Sequence, residues 1–247
     1  MNSGRNFAAY AWAVLGYNLF VVVWGAFVRA TGSGAGCGNH WPMCNGAVVP
    51  RGPTLETIIE FTHRATSGVA LILVAGLVVW AFRAYPKGHR VRLGAALSGV
   101  FLITEALIGA GLVLFEHVAR NASIYRGFSL SVHLVNTFTL VACLSLTAWW
   151  ASGGPAVDLR DGSKPRTLLL TSLAGLMVLG VSGAIAALGD TLFPASSLAA
   201  GMAQDLSATA HVFVRLRAFH PGIAVVATGL LGFAVTRVLK ETKSNTV

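Results

Sequence analysis

Three side chains able to do chemistry stand close together at the start of a long apolar run, in the segment IIEFTHRATSGV at positions 58–69. Glu60, His63 and Arg64 share one face of a helix, because residues three and four positions apart are neighbours on its surface. An imidazole can bind a metal ion or carry a proton near neutral pH, and a carboxylate beside it can assist either process. A second interpretation stays open, since Thr57-Ile-Ile-Glu60 also fits a capping box in which Glu60 bonds back to the Thr57 amide.

Three histidines stand at similar heights in three of the apolar runs. His63, His133 and His220 each lie 17 to 20 residues before the end of a run. At 1.5 Å per helical residue, their imidazoles are expected to form one layer about 25–30 Å from that end. Histidines at a membrane boundary can also simply bond to headgroups or neighbouring helices. The matched heights favour a functional site, and two facing neutral imidazoles, here His63 and His133, are the axial ligands that a six-coordinate haem iron needs.

Other charged residues of the apolar runs allow two interpretations each. Glu105 lies inside the third run, where a carboxylate is unfavourable unless it is protonated or paired, so we expect it to face the interior of the bundle. Arg64 can extend to the membrane interface or bind an anionic group of a ligand. The same choice applies to four further arginines near the ends of the runs: Arg29, Arg126, Arg215 and Arg217.

The composition decides which elements position these residues. Of 247 residues, 55% are hydrophobic and 11% are charged, against about 25% charged in an average soluble domain. A helix of about 20 apolar residues crosses the hydrocarbon core of a bilayer. The sequence predicts an all-α, polytopic membrane bundle of six transmembrane helices in contact with lipid, at about Phe7–Val28, Ile58–Phe82, Leu93–Phe115, Phe128–Trp150, Thr167–Leu188 and Pro221–Leu239.

The cations are distributed unevenly between the runs. Eleven of the eighteen fall on one side of a six-span protein, which predicts that this side is cytoplasmic. We therefore expect a multi-pass protein of the cell (plasma) membrane with cytoplasmic N- and C-termini. The net charge of +9 is then explained by the cations on the cytoplasmic side of the membrane, and no nucleic-acid partner is predicted. The eleven are Arg5, Arg83, Lys87, Arg90, Arg92, Arg160, Lys164, Arg166, Arg237, Lys240 and Lys243.

The opposite side is expected to carry the long loops, at 29–57, 116–127 and 189–219. Cys37 and Cys44 lie in the first of them, and an oxidising outer face permits a disulfide between them. A metal site that adds His40 is the alternative, although it lacks the fourth ligand of a zinc site. Cys143, inside the fourth run, is expected to be a small packing residue.

Two parts of the chain indicate a duplicated unit. The segment GAFVRATG at 25–32 and the segment GAIAALGD at 183–190 are offset by 158 positions, and His63 and His220 by 157. A constant offset between landmarks is typical of repeated helical units in membrane proteins. We expect a four-helix half at 1–154 and an incomplete second repeat of two helices at 155–247. The counterpart of His133 would lie near position 290.

A family resemblance follows from the motifs themselves. GAFVRATGSGAGC at 25–37, WPMC at 41–44, EFTHR at 60–64 and FHP at 219–221 resemble the haem A synthase family over essentially the whole chain. Members have eight spans in two similar four-helix halves, and they oxidise a methyl group of haem O to the formyl group of haem A, a cofactor of terminal oxidases.

The resemblance also implies roles for individual residues. The first half holds the substrate, haem O, between His63 and His133, with Glu60 beside it as a catalytic residue. Arg64 and Arg29 are candidate haem-binding residues. The second half holds a b-type haem that relays electrons, with His220 as one iron ligand, and the cysteine pair matches one that can form a disulfide.

The family's last two spans and its fourth histidine are not found in these 247 residues. We expect a shortened or variant member, or one completed by another chain. Candidate partners are a second copy of this chain, a haem O synthase and terminal-oxidase assembly proteins, in addition to haem O and haem A. Two alternatives remain open: a b-type electron-transfer cytochrome with two histidine ligands, and a non-enzymatic haem-binding assembly factor.

Overall fold

The computed structural model describes residues 2–156 and 164–244. The chain divides into two compact units, Met1–Ala156 and Val157–Val247. The boundary predicted between 154 and 155 lies two residues before this division, while the haem assigned to each half stays a prediction.

Six helices are long and apolar enough to cross a membrane, and the described residues form no strand. The predicted all-α, multi-pass membrane bundle with six spans is therefore confirmed.

The first unit, hereafter unit 1, is a closed ring of four long helices. Neighbours along the chain pack against each other, and the first helix also packs against the fourth. Neighbouring helices run antiparallel, because the core joins the first part of α1 and α3 to the last part of α2 and α4. The four helices are α1 (Asn2–Ala30), α2 (Leu55–Ala84), α3 (Arg90–Leu114) and α4 (Ile124–Ala151), with a 3-10 turn at Ser33–Ala35 after α1.

Helix α2 begins earlier than the sequence predicted. Thr54 is its N-cap, and its hydroxyl accepts a hydrogen bond from the Thr57 amide at 3.3 Å. Thr57 is therefore inside the helix, and its own hydroxyl donates to the carbonyl of Gly36 at 2.8 Å. The capping box proposed for Thr57 and Glu60 is wrong because the chain reaches helical geometry at Leu55, which leaves Glu60 free for other contacts.

The apolar core of unit 1 fills only one half of the bundle, hereafter the core half. It joins the first part of α1 and α3 to the last part of α2 and α4, and its edge is closed by ring contacts of Phe7 with Trp80 and Tyr85. The other half, hereafter the site half, contains the histidines. The core residues are Phe7, Ala11, Val14, Leu15, Val74, Leu77, Ala81, Val91, Ala95, Leu102, Leu140, Leu144 and Ala148.

The second unit, unit 2, contains two long helices and two short ones in its described part. Helix α5 (Lys164–Leu192) packs against α8 (His220–Ser244) and against α7 (Val212–Arg217), while α6 (Leu198–Leu206) packs against α7. The two short helices lie in the segment 189–219, which the sequence predicted as a loop. Arg217 binds Asp205 at 2.6 Å and Asp190 at 3.0 Å, and thereby joins α7 to α6 and α5.

Candidate functional site

A glycine of α1 makes room for the first histidine. A Cβ atom added at Gly25 would lie 3.0 Å from Cε1 and 3.2 Å from Nε2 of His63. Such distances are tighter than nearly all real Cβ contacts, so any side chain here would push the imidazole away. Nδ1 of His63 is buried and has no hydrogen-bond partner among the described residues. The ring is therefore placed by packing, and its nitrogens stay available to a ligand.

Glu60 contacts the loop above the site and does not contact the neighbouring His63 through any hydrogen bond of the described residues. Its carboxylate is 3% exposed, accepts a hydrogen bond from the Cys37 amide at 2.8 Å, and forms an ion pair with Arg64. Arg64 also donates to the carbonyls of His40 at 2.6 Å and Met43 at 2.7 Å. The contacts of both side chains thus fix the loop onto α2.

The loop itself is closed by a disulfide between Cys37 and Cys44, and the segment 36–47 is hereafter the disulfide loop. Both cysteines are almost fully buried. The loop packs so closely on α2 that a Cβ added at Gly36 would lie 2.4 Å from the carbonyl carbon of Glu56. No group of three metal-binding side chains exists among the described residues, so this geometry does not support the zinc alternative with His40. The free Cys143 is buried.

Helix α3 provides the carboxylate that contacts a histidine. Glu105 Oε1 lies 3.0 Å from Nδ1 of His133 on α4 and also accepts a hydrogen bond from the Thr137 hydroxyl. Asn136 donates to Glu105 Oε2 at 2.6 Å and is itself bound by Thr104 at 2.7 Å. The sequence predicted that Glu105 is paired and faces the interior, but it gave Glu105 no partner.

The two histidines of unit 1 occupy a common site. His63 lies in the first part of α2 and His133 in the first part of α4, at the same end of the four-helix unit, where His63 also interacts electrostatically with His133 and Glu105. A Cβ added at Gly109 of α3 would lie 3.5 Å from Nε2 of His133, so a glycine stands beside this nitrogen as well. The site half of unit 1 therefore holds two imidazoles whose Nε2 atoms each face a helix position without a side chain.

Two arginines at the same end of unit 1 form its cationic rim. Arg126, in the first turn of α4, is 5% exposed and donates to the carbonyls of Ala119 at 2.5 Å and Asn121 at 2.9 Å. Its Nε has no hydrogen-bond partner among the described residues. Arg29, at the end of α1, is half-buried and close enough to repel Arg126. Two neighbouring guanidinium groups make this rim suitable for an anionic group.

Unit 2 repeats the glycine–histidine contact of α1 and α2. A Cβ added at Gly183 of α5 would lie 3.1 Å from Cε1 of His220, at the start of α8. Nδ1 of His220 lies 3.0 Å from the Ser182 hydroxyl. The contact strengthens the offset that the sequence showed, because the glycines and the histidines of the repeated segments touch in both units.

The remaining predicted candidates have other contacts. Arg217 is held by two carboxylates, as described above, and Arg215 lies exposed in the same short helix. His211 caps α7 through the Phe213 amide and stacks on Phe193. Together these contacts give structural roles to Arg217 and His211.

The donor set of unit 1 suits a haem better than a bare metal ion. A haem needs only two axial donors from the protein, because the porphyrin provides the other four. His63 and His133 provide two imidazoles, Gly25 and Gly109 allow these rings to pack close to α1 and α3, and the rim offers two guanidinium groups for carboxylates. Sequence reasoning missed both glycines, although their positions at the height of the histidines on neighbouring spans could have indicated them.

Comparisons with known proteins indicate the family of the chain. The profile of a family described as COX15-CtaA, cytochrome oxidase assembly protein, matches residues 8–247. A protein of Thermus thermophilus named Protoheme IX farnesyltransferase is 54% identical over 218 residues, which are 88% of this chain and 36% of that protein. Proteins named Heme A synthase from Bacillus licheniformis and Bacillus cereus are 44% and 45% identical over 112 residues, or 45% of this chain and 37% and 36% of theirs. The matched part is thus little more than a third of each relative.

Proposed function

This chain belongs to the COX15-CtaA family of cytochrome oxidase assembly proteins, and from that premise we propose that unit 1 binds haem O and oxidises one of its methyl groups to the formyl group of haem A. Its Bacillus relatives are named for haem A synthesis. The observation that carries the proposal is the pair His63 and His133, brought together in one four-helix unit with a glycine beside each Nε2.

The residues of unit 1 would divide the work of binding. His63 and His133 would hold the iron, and Arg29 and Arg126 would bind the propionates, because guanidinium groups pair well with carboxylates. The apolar helices around the site exclude water from the porphyrin. When bound, the haem supplies the redox chemistry, and the protein supplies position and electrostatics.

Glu60 and Arg64 have a different part in this proposal. Both oxygens of Glu60 are occupied, one by the Cys37 amide and one by Arg64. These contacts support a role in holding the disulfide loop over the edge of the site, one helical turn from His63. Arg64 connects α2 to the carbonyls of that loop through hydrogen bonds. In this proposal the haem propionates are therefore bound by Arg29 and Arg126.

Unit 2 would hold a b-type haem as an electron relay. His220, whose Nδ1 lies 3.0 Å from the Ser182 hydroxyl, would bind the iron of this haem. The cations on one side of the chain support cytoplasmic termini in the plasma membrane.

A supply of substrate is part of the same proposal. The Thermus relative is named for farnesyl transfer to protohaem, and haem O is a farnesylated haem. We therefore propose that the chain works beside a haem O synthase and delivers haem A to terminal-oxidase assembly.

The test is a pigment analysis after co-expression of the chain with a haem O source. Haem A or its hydroxylated precursor in the extract supports the synthase, and the His63→Ala variant should yield neither. Unmodified haem alone, with an intact low-spin spectrum, would favour the electron-transfer cytochrome. Unmodified haem that passes readily to apomyoglobin would favour the haem-binding assembly factor.

A further inference from the structure

The two histidines of unit 1 differ in what holds their Nδ1 atoms. Nδ1 of His133 faces a carboxylate oxygen of Glu105 at 3.0 Å. Nδ1 of His63 is buried without a hydrogen-bond partner among the residues of the described chain. Both nitrogens belong to imidazoles that would bind one iron through Nε2, so the difference lies entirely in the support behind each ring.

The carboxylate behind His133 is itself held in place. Asn136 donates to its Oε2 and Thr137 to its Oε1. Asn136 is fixed in turn, since it donates to the Phe101 carbonyl at 2.9 Å and accepts from Thr104 at 2.7 Å. Glu105 therefore accepts hydrogen bonds at both oxygens, and its Oε1 lies 3.0 Å from Nδ1 of His133, within reach of an N–H there; the Thr137 hydroxyl lies 3.5 Å from the same nitrogen.

A carboxylate behind a metal-binding histidine has two known effects. It fixes the tautomer with hydrogen on Nδ1, which leaves the Nε2 lone pair for the metal, and it raises the basicity of the ligand. A more basic ligand with a negative charge behind it favours the ferric over the ferrous iron. His63 lacks this support, so its ring is held by packing against Gly25 and competes less well for the iron.

We propose that the haem site of unit 1 is asymmetric: Glu105 makes His133 the retained axial ligand, and His63 is the ligand that a small neutral molecule such as a diatomic gas displaces from the iron. The proposal rests on the proposed binding of haem between these two histidines. In this proposal Glu105 is a positioning residue for His133. A small molecule binds the iron on the side of His63.

The experiment uses the purified chain loaded with haem, carbon monoxide as the probe, and a redox titration. His63→Ala should keep its haem and bind carbon monoxide at least tenfold more tightly than the unsubstituted protein, since the displaced ligand is gone. His133→Ala should hold haem at least tenfold more weakly than His63→Ala. The opposite order of haem retention would overturn the proposal.

The role of Glu105 is measured by the midpoint potential. Glu105→Gln should lower the preference for ferric haem about tenfold, which raises the potential by about 59 mV for a one-electron couple. Glu105→Asp should recover part of this shift because it restores the carboxylate. Glu116→Gln makes the same chemical change in an exposed turn and should leave the potential unchanged.

An unchanged potential in Glu105→Gln, with the low-spin spectrum intact, would overturn the asymmetry while the proposed haem site stands. A protein that shows no low-spin haem in unit 1 before substitution would overturn both. Formation of haem A is scored separately, so a lack of product contradicts the proposed enzyme and leaves these ligand measurements valid.

Discussion

Two carboxylates at the same end of unit 1, those of Glu60 and Glu105, differ in what they contact: one holds a loop and the other lies against a histidine. Glu60 stands three positions before His63 in the sequence, yet it binds the Cys37 amide and Arg64 and supports a loop. Glu105 stands 28 positions before His133, on another helix, and its oxygen lies against the imidazole. The spacing that draws attention in the sequence therefore marks the edge of the site, and the carboxylate that supports a histidine comes from the neighbouring helix.

The comparison shows how a membrane bundle keeps charges in an apolar environment. Glu60 is neutralised by Arg64 one helical turn away; the Glu60 side chain is 4% exposed and the Arg64 side chain 13%. Among the described residues, Glu105 has no such cation; Asn136, Thr137 and His133 surround it. An ion pair ties a loop to a helix firmly, whereas a set of neutral donors leaves the charge to act on whatever the histidine binds.

The largest effect is expected from Glu60→Gln. Removing one partner of a buried ion pair leaves Arg64 charged and uncompensated, which destabilises proteins by about 3–5 kcal/mol. We expect a loss of that size in the free energy of unfolding of unit 1, measured by denaturant titration in detergent with tryptophan fluorescence. Glu56→Gln is the matched control, since Glu56 is exposed in the first turn of the same helix. A small loss equal to that of the control would contradict the role given to Glu60.

A somewhat smaller effect is expected when the disulfide loop is opened. The bond spans seven positions, and a loop of this length restricts the unfolded chain by about 2–3 kcal/mol. Replacing both Cys37 and Cys44 by Ala should lower the stability by this amount. In the intact protein, neither cysteine should react with a membrane-impermeant thiol reagent before reduction. Labelling of both without reduction would show that the bond is not formed.

The glycines give a graded series within the site. Gly25→Ala should displace His63, and forced overpacking costs about 1–3 kcal/mol, so we expect haem to bind about tenfold more weakly. Gly109→Ala should have a lesser effect because its added Cβ would be in ordinary contact with His133 at 3.5 Å. Gly16→Ala, on the same helix as Gly25, meets nothing within 4 Å and should have none. Equal haem affinities across the three variants would contradict the packing argument.

The smallest effect is expected in unit 2, where a neutral hydroxyl, that of Ser182, lies 3.0 Å from Nδ1 of His220. Ser182→Ala removes the partner of His220, and a hydrogen bond between neutral groups contributes about 1 kcal/mol. The stability of the protein should fall by about that amount. Ser172→Ala, on the same helix, loses only a bond to the Leu168 carbonyl and serves as the control. A loss as large as that of Glu60→Gln would mean that Ser182 does more than orient a neutral ring.

Length and hydropathy were enough to predict the six spans, because each apolar run is long enough to need no tertiary information. The start of α2 was missed since Thr54 and Thr57 are both good caps, and only the packing of the disulfide loop distinguishes them. Helices α6 and α7 were missed because six to nine residues carry little periodicity.

Contacts between helices explain the rest of what the sequence did not predict. The pair of Glu105 and His133 depends on how α3 and α4 are rotated against each other, and a chain that is apolar on every face does not encode that rotation in its pattern. The heights of His63 and His133 along their helices were predictable from the sequence, whereas the contacts that each side chain makes with neighbouring helices were not.

The separation of unit 1 into a core half and a site half has a consequence for turnover. The core half joins all four helices through apolar contacts that involve neither histidine. The four helices are therefore expected to stay assembled when no ligand occupies the site half. For the haem binding proposed above, this property means that loading and release would not require the helices to separate and reassemble.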